Sequence, residues 1–198
     1  MARATQPRAS GQAADAITLL KQDHREVETL FENFEDAASG EAGTIAEQVC
    51  QMLTVHAEIE EEILYPAAKE AFEDEEDLEL VNEANVEHAS AKELIARIEA
   101  MTEDDELFRA TVKVLGEYVK HHVKEEENEL FPKLKKTGID LADLGVQLQG
   151  RKAQLEADIG LAETMDVAAE EDDDTDEDQP SGRRATRAKA GTRPPAAR

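Results

Sequence analysis

Two stretches of the chain repeat one another. His56-Ala-Glu-Ile-Glu60-Glu-Glu-Ile-Leu-Tyr65-Pro66 matches His122-Val-Lys-Glu-Glu126-Glu-Asn-Glu-Leu-Phe131-Pro132: a histidine, a glutamate four residues on, then an aromatic–proline pair. An acid–histidine pair stands upstream of each, Asp23-His24 and Glu87-His88. Residues four apart on an α-helix lie one above the other on the same face, so His-x-x-x-Glu points an imidazole and a carboxylate into one small volume. Two such hairpins facing each other would gather His24, His56, Glu60, His88, His122 and Glu126. That set offers two imidazoles to each of two metal ions, with two carboxylates able to bridge. Imidazole and carboxylate together suit iron, and also Mn or Zn.

Taken singly, each of these residues is explained as well by a solvated helix face or a satisfied core histidine. The glutamates decide between the readings. Glu60 and Glu126 fall on faces otherwise occupied by Leu, Val and Ile, and an ionised carboxylate buried there costs several kcal/mol unless it is paired or bound to metal. His122 continues the Leu115–Val119 stripe and obeys the repeat. Its neighbour His121 lies about 100° around the helix, as an alternate ligand or a supporting group. Glu58, Glu61, Glu62, Glu125 and Glu127 read most simply as solvated, with Glu61 the best placed to give a further ligand or a supporting hydrogen bond. Other plans for the same chemistry are absent. No glutamate precedes a histidine by three, as ferritin-like di-iron bundles require, and there is no zincin motif, Gly-rich phosphate loop or Ser/Cys nucleophile arrangement.

Long amphipathic helices must position these groups. Ile17, Leu20, His24, Val27, Phe31 and Phe34 step by three and four along one face, and Ser39-Gly40 ends that helix. A capping box, Thr44-Ile-Ala-Glu47, opens the second, whose stripe is Ala46, Val49, Leu53, His56, Glu60, Ile63 and Ala67. Pro66 falls within it and must kink it or end its regular bonding. The acidic run Glu73–Asp77 reads as a loop before a third helix carrying Val81, Ala84, His88, Ala91, Ile95 and Ile98. A second box, Thr102-Glu-Asp-Asp105, opens a fourth with Phe108, Val112, Leu115, Val119, His122, Glu126 and Leu130. A shorter fifth helix after Asp140 is weakened by Gly145 and Gly150. The fold class is therefore all-α, an up-down-up-down four-helix bundle over residues 13–160 with an added C-terminal helix. Residues 1–12 read as a disordered tail. Residues 165–198 read as another, an acidic block at Glu170–Asp178 followed by a basic end with Arg183, Arg184, Arg187, Lys189, Arg193 and Arg198.

Composition narrows the function classes. The net charge of −25 opposes nucleic-acid and anionic-membrane binding and draws cations; only the basic end could touch nucleic acid, in competition with the acidic block beside it. No apolar run is long enough to span a membrane. The single cysteine, Cys50, allows no intramolecular disulfide and reads as a packed thiol. The expected location is cytoplasmic.

With these motifs in view, Asp15 to Lys136 resembles the hemerythrin HHE cation-binding family, through Asp23-His24-Arg25-Glu26, His56 with Glu60, Glu87-His88, His122 with Glu126, and the Leu-Tyr-Pro and Leu-Phe-Pro endings. The resemblance implies a four-helix bundle around an oxo- or hydroxo-bridged, non-haem di-iron centre that binds or reacts with O₂, NO or peroxide, or senses O₂ or iron. The chain departs from the oxygen carriers at Lys92, where they have a second histidine. It departs again at Glu126, where they have an aspartate at a five-residue spacing. Both departures argue against reversible O₂ carriage of that kind. An iron buffer or sensor without turnover, or a metal-free interaction bundle, are the alternative expectations.

Overall fold

The computed structural model describes residues 14–160 apart from Ser39. Both tails read from the sequence, and the Ser39 half of the first helix stop, lie outside the described residues. Seven α-helices follow in order: α1 (Ala16–Asp36), α2 (Ala42–Ile59), α3 (Tyr65–Ala71), α4 (Glu75–Glu99), α5 (Phe108–Glu125), α6 (Phe131–Thr137) and α7 (Leu141–Asp158). A π-helical turn, Glu60–Leu64, joins α2 to α3 without a break, and a second, Glu126–Leu130, joins α5 to α6. There is no strand among the described residues, and no helix there is long and apolar enough to cross a membrane.

Packing follows from the apolar stripes. Helix α1 lies against α2, α2 against α4, α4 against α5, and α5 against α1, which closes a ring of neighbours, while α7 packs across α1 and α2. The core comes in two apolar clusters. One holds Ile17, Leu20, Leu64, Tyr65, Val81, Phe131, Leu134 and Leu148. The other holds Val27, Phe34, Val49, Leu53, Ile95, Phe108, Val112 and Leu115. Between them lies a layer of buried polar residues: Asp23, His24, His56, Glu60, His88, His122 and Glu126.

Several local expectations need correction. Helix α2 begins at Ala42, so Thr44 lies inside it and the Thr44–Glu47 box caps nothing. The Thr102–Asp105 segment forms half a box, Thr102 N–H donating to the Asp105 carboxylate at 2.8 Å, but α5 starts only at Phe108. The acidic run is mostly helix. Asp74 is the N-cap, and Glu75, Glu76 and Asp77 form the first turn of α4, where the helix dipole favours anions. At the fifth helix Gly145 is a packing device. Its Cα abuts the backbone of Ala14–Ala16 so closely that a β-carbon would collide with it.

Pro66 and Pro132 explain the π turns. A proline ring clashes with the carbonyl four residues back and has no N–H to give. The widened turn relieves this, with the Tyr65 N–H donating to the Glu60 carbonyl and the Phe131 N–H to that of Glu126. The extra residue also shifts the phase of the stripe. Beyond Glu60 the buried positions are Leu64, Tyr65 and Ala68, whereas Ile63 and Ala67 are only half-buried.

Candidate metal centre

Helices α1, α2, α4 and α5 each bring one histidine to the polar layer: His24, His56, His88 and His122 in that order. Glu60 and Glu126, the first residues of the two π turns, complete it. All six residues named from the sequence are thus together, and none is more than 7% exposed. His121 is not among them. Its side chain is 62% exposed, and its Nε2 lies 3.1 Å from the Glu125 carboxylate.

The four rings are oriented alike. Every Nδ1 faces a carboxylate of its own: His24 meets Glu127 at 3.0 Å, His56 meets Asp23 at 3.5 Å, His88 meets Glu61 at 3.1 Å and His122 meets Glu87 at 2.8 Å. Every Nε2 faces inward. Those of His88 and His122 are 3.1 Å apart, the spacing of two nitrogens that share an ion ~2.1 Å away at about a right angle. Glu60 Oε2 lies 3.3 Å from His56 Nε2 and 3.4 Å from His88 Nε2, while Glu126 Oε2 lies 3.4 Å from His24 Nε2 and 3.7 Å from His122 Nε2. The Tyr65 hydroxyl donates to Glu126 Oε1 at 3.0 Å. Phe131, its counterpart in the repeat, stacks on His24 at 6.0 Å between ring centres.

What is missing from this arrangement tests the fit of a metal. His24 Nε2, His56 Nε2, Glu60 Oε1 and Glu126 Oε2 are buried and have no hydrogen-bond partner. Buried polar atoms are nearly always satisfied. Four orphans converging on one volume are the signature of a donor set, and cations fit it. The donor atoms fall into two overlapping groups, His24–His56–Glu60–Glu126 and Glu60–His88–His122, each within 4.8 Å.

Electrostatics agree. Burial opposes the charged form of His122, but the carboxylates of Glu126, Glu87 and Glu60 outweigh it and raise the imidazolium to about 9. His24 is raised for the same reason by Glu126 and Glu60. Burial likewise works against ionised Glu126, yet the His122 and His24 charges hold it below the usual carboxylate range. Without metal, protons on His24 and His122 offset part of the buried carboxylate charge. The outer carboxylates are anchored in turn. Glu127 is bound by Lys21 and Arg25, Asp23 by Lys152 of α7, and Glu61 by Lys92.

The profile of the Hemerythrin HHE cation binding domain matches residues 15–134. The chain belongs to that family. A crystal structure of a Hemerythrin HHE cation binding domain-containing protein from Mycobacterium kansasii is similar in fold, with a TM-score of 0.63 at 21% identity, covering 73% of this chain and 89% of that one. A curated relative from Nostoc sp., named a DNA nickase, is 32% identical over 116 residues, which is 57% of this chain and 31% of the relative. The chain spans about a third of that relative's length.

In this HHE domain the sequence reading anticipated one support of the histidines, Glu61, and missed the other three. Glu127, read as solvated, is 13% exposed at its side chain and bonds His24. Glu61 bonds His88 as a supporting group, and Glu62 pairs with Arg151 at the surface. Asp23 and Glu87 precede histidines in the chain but serve the histidine of the next helix. The repeat carried the signal, since Glu61 and Glu127 stand at matched positions, as do Asp23 and Glu87. Tyr65 was visible only as half of an aromatic–proline pair.

Proposed function

We propose that the protein holds two metal ions, iron foremost, on His24, His56, Glu60, His88, His122 and Glu126, and that the centre binds or reacts with a small molecule of the size of O₂, NO or peroxide. The observation that carries this reading is the convergence of four unpartnered buried donor atoms on one layer of the core. His24 and His56 would hold one ion and His88 and His122 the other, with Glu60 and Glu126 as the carboxylate ligands. When bound, iron supplies a redox-active Lewis acid. The chain's part is to hold each imidazole in one tautomer through its outer carboxylate, to fix Glu126 through Tyr65, and to exclude bulk water.

The cavity beside the Nε2 atoms supports a small ligand. It offers about 30 Å³ to the centre of a water-sized sphere and is walled by Val27, Leu53, Ala57, Ile95 and Val119. That is room for one or two molecules of water size, and its walls suit an apolar diatomic. The fold belongs to the same reading. The apolar clusters are met in opposite order along α1 and α2, and again along α4 and the continuous α5–α6 segment, which supports an up-down-up-down bundle. A cytoplasmic location goes with a single, buried, unpaired Cys50.

A second reading, an iron buffer or sensor without turnover, is favoured by the charged layer that divides the core. Its stability would follow metal occupancy. The DNA-nicking activity of the Nostoc relative is not carried over, because a net charge of −25 repels a phosphate backbone.

Metal analysis with an electronic spectrum tests the proposal. Two ions per chain with oxo-to-iron charge-transfer bands are expected, and Glu126→Gln should lose metal while Glu62→Gln keeps it. Mixing the reduced protein with O₂, NO and peroxide then separates a reactive centre from a buffer. A colourless protein that takes up no transition metal would overturn both readings.

A further inference from the structure

The six inner residues are sealed in the core, so an ion needs a way in. Besides the small cavity already described, two surface openings touch them. The groove between α1 and α5, about 650 Å³, touches His24, but Arg25, Arg109, Lys113 and Lys120 along it match its four carboxylates. It gives a cation no net attraction. The opening between α4 and α5 differs. A surface bowl of about 380 Å³ is lined by Glu79, Glu83, Glu87 and Glu125 around His121. Below it a cleft of about 10 Å³, close to one water, shares Glu83, Glu87 and Glu125 with the bowl and ends on His122 and Glu126. Glu126 is 2% exposed, and its Oε2 is one of the unpartnered atoms.

Glu87 faces both ways. Its Oε1 lies 3.9 Å from His121 Nε2, and its Oε2 accepts from His122 Nδ1 at 2.8 Å. One donor atom from each of Glu87, His121 and Glu125 lies within 4.8 Å of the others. We propose that Glu87, His121 and Glu125 form an outer docking site for a divalent cation, from which the ion passes down the Glu83–Glu87–Glu125 cleft to the buried centre. This rests on the reading of that centre as a metal site. Each step exchanges one carboxylate or imidazole ligand for another, with no electron moved. Exposure keeps the outer site weak and open to exchange, while the inner site supplies the ligands that retain the ion.

The test is the rate of metal uptake by the metal-free full chain, with Co²⁺ as an air-stable probe followed by stopped-flow absorbance. His121→Ala/Glu125→Gln is compared with wild type and with Glu28→Gln/Glu32→Gln, which removes charge from the α1–α5 groove. All three should reach the same final cobalt content. The His121/Glu125 variant should load about tenfold more slowly, within the range of electrostatic guidance, and the groove variant at close to the wild-type rate. Equal rates for the His121/Glu125 variant and wild type would overturn the entry site and leave the centre standing. Equal slowing in the groove variant would overturn it too, since the field of the whole chain would then deliver the ion. A His121/Glu125 variant that holds less cobalt at equilibrium would make these residues part of the centre. A wild type that binds no cobalt would remove centre and entry together. If the double substitution costs helical circular dichroism, Glu125→Gln alone carries the same comparison.

Discussion

Each buried imidazole keeps one ring nitrogen for an outer carboxylate and the other for the centre. An Nδ1–H donated to a carboxylate fixes the tautomer that leaves the Nε2 lone pair free, and it makes that nitrogen a stronger ligand. Losing such a partner typically costs about 10–100-fold in metal affinity. Glu127→Gln is expected to lower affinity by that factor in a chelator competition, because Glu127 serves His24 at 3.0 Å. Glu58→Gln, outside the cluster, should change it little. Burial pushes the Cys50 thiol up to about 12. At pH 8 almost no thiolate is present, so alkylation by iodoacetamide should wait for unfolding. Fast labelling of the native protein would show that α2 opens locally.

The two π turns matter most among the elements. A regular α-helix through Glu60 would point Ile63 and Ala67 at the core and leave Tyr65 to one side; the inserted residue brings Tyr65 in, where its hydroxyl meets Glu126. Helix α7 is the other supporting element. Its Lys152 bonds Asp23 at 2.6 Å, and Asp23 faces His56. That reach depends on Gly145 letting α7 approach the start of α1. Gly145→Ala is therefore expected to destabilise the fold by about 1–3 kcal/mol, as overpacking does, read as a lower Tm. Gly150→Ala meets nothing within 4 Å and should stabilise the helix by about 0.5–1 kcal/mol. Similar melts for the two variants would remove the close-approach argument.

Across the whole molecule the supports form a closed ring: Asp23 of α1 holds the histidine of α2, Glu61 after α2 that of α4, Glu87 of α4 that of α5, and Glu127 after α5 that of α1. Displacing one helix therefore disturbs two histidines. Glu126, together with Glu87 of the ring and Glu60, also sets a pH dependence. In the metal-free protein the pKa of His122 is raised to about 9 from 6.5. Its stabilising contribution is thus complete below pH 6.5 and is lost as pH rises towards 9. Metal binding needs the deprotonated rings, so its advantage grows over the same window. Calorimetry at pH 6.5, 7.5 and 9 should show the metal-free Tm falling and the gap to the metal-loaded Tm widening. A gap that narrows with pH would contradict proton–metal exchange at these rings.

By itself the sequence determined the helical class, the apolar stripes up to the π turns and the six inward residues. Each of these depends on spacing within a single helix, and the duplicated His-x-x-x-Glu displays it twice. Membership of the HHE family was legible from the same residues. Only the tertiary structure decided which acid serves which histidine. The partners Asp23 and His56, or Glu127 and His24, lie on different helices, and their meeting depends on how each helix is rotated about its axis. The sequence reading took the phase after Glu60 from an ideal helix, but Pro66 widened the turn and moved the stripe by one residue. Gly145 looked like a helix breaker for a similar reason. The backbone it must clear belongs to α1, at the far end of the described chain.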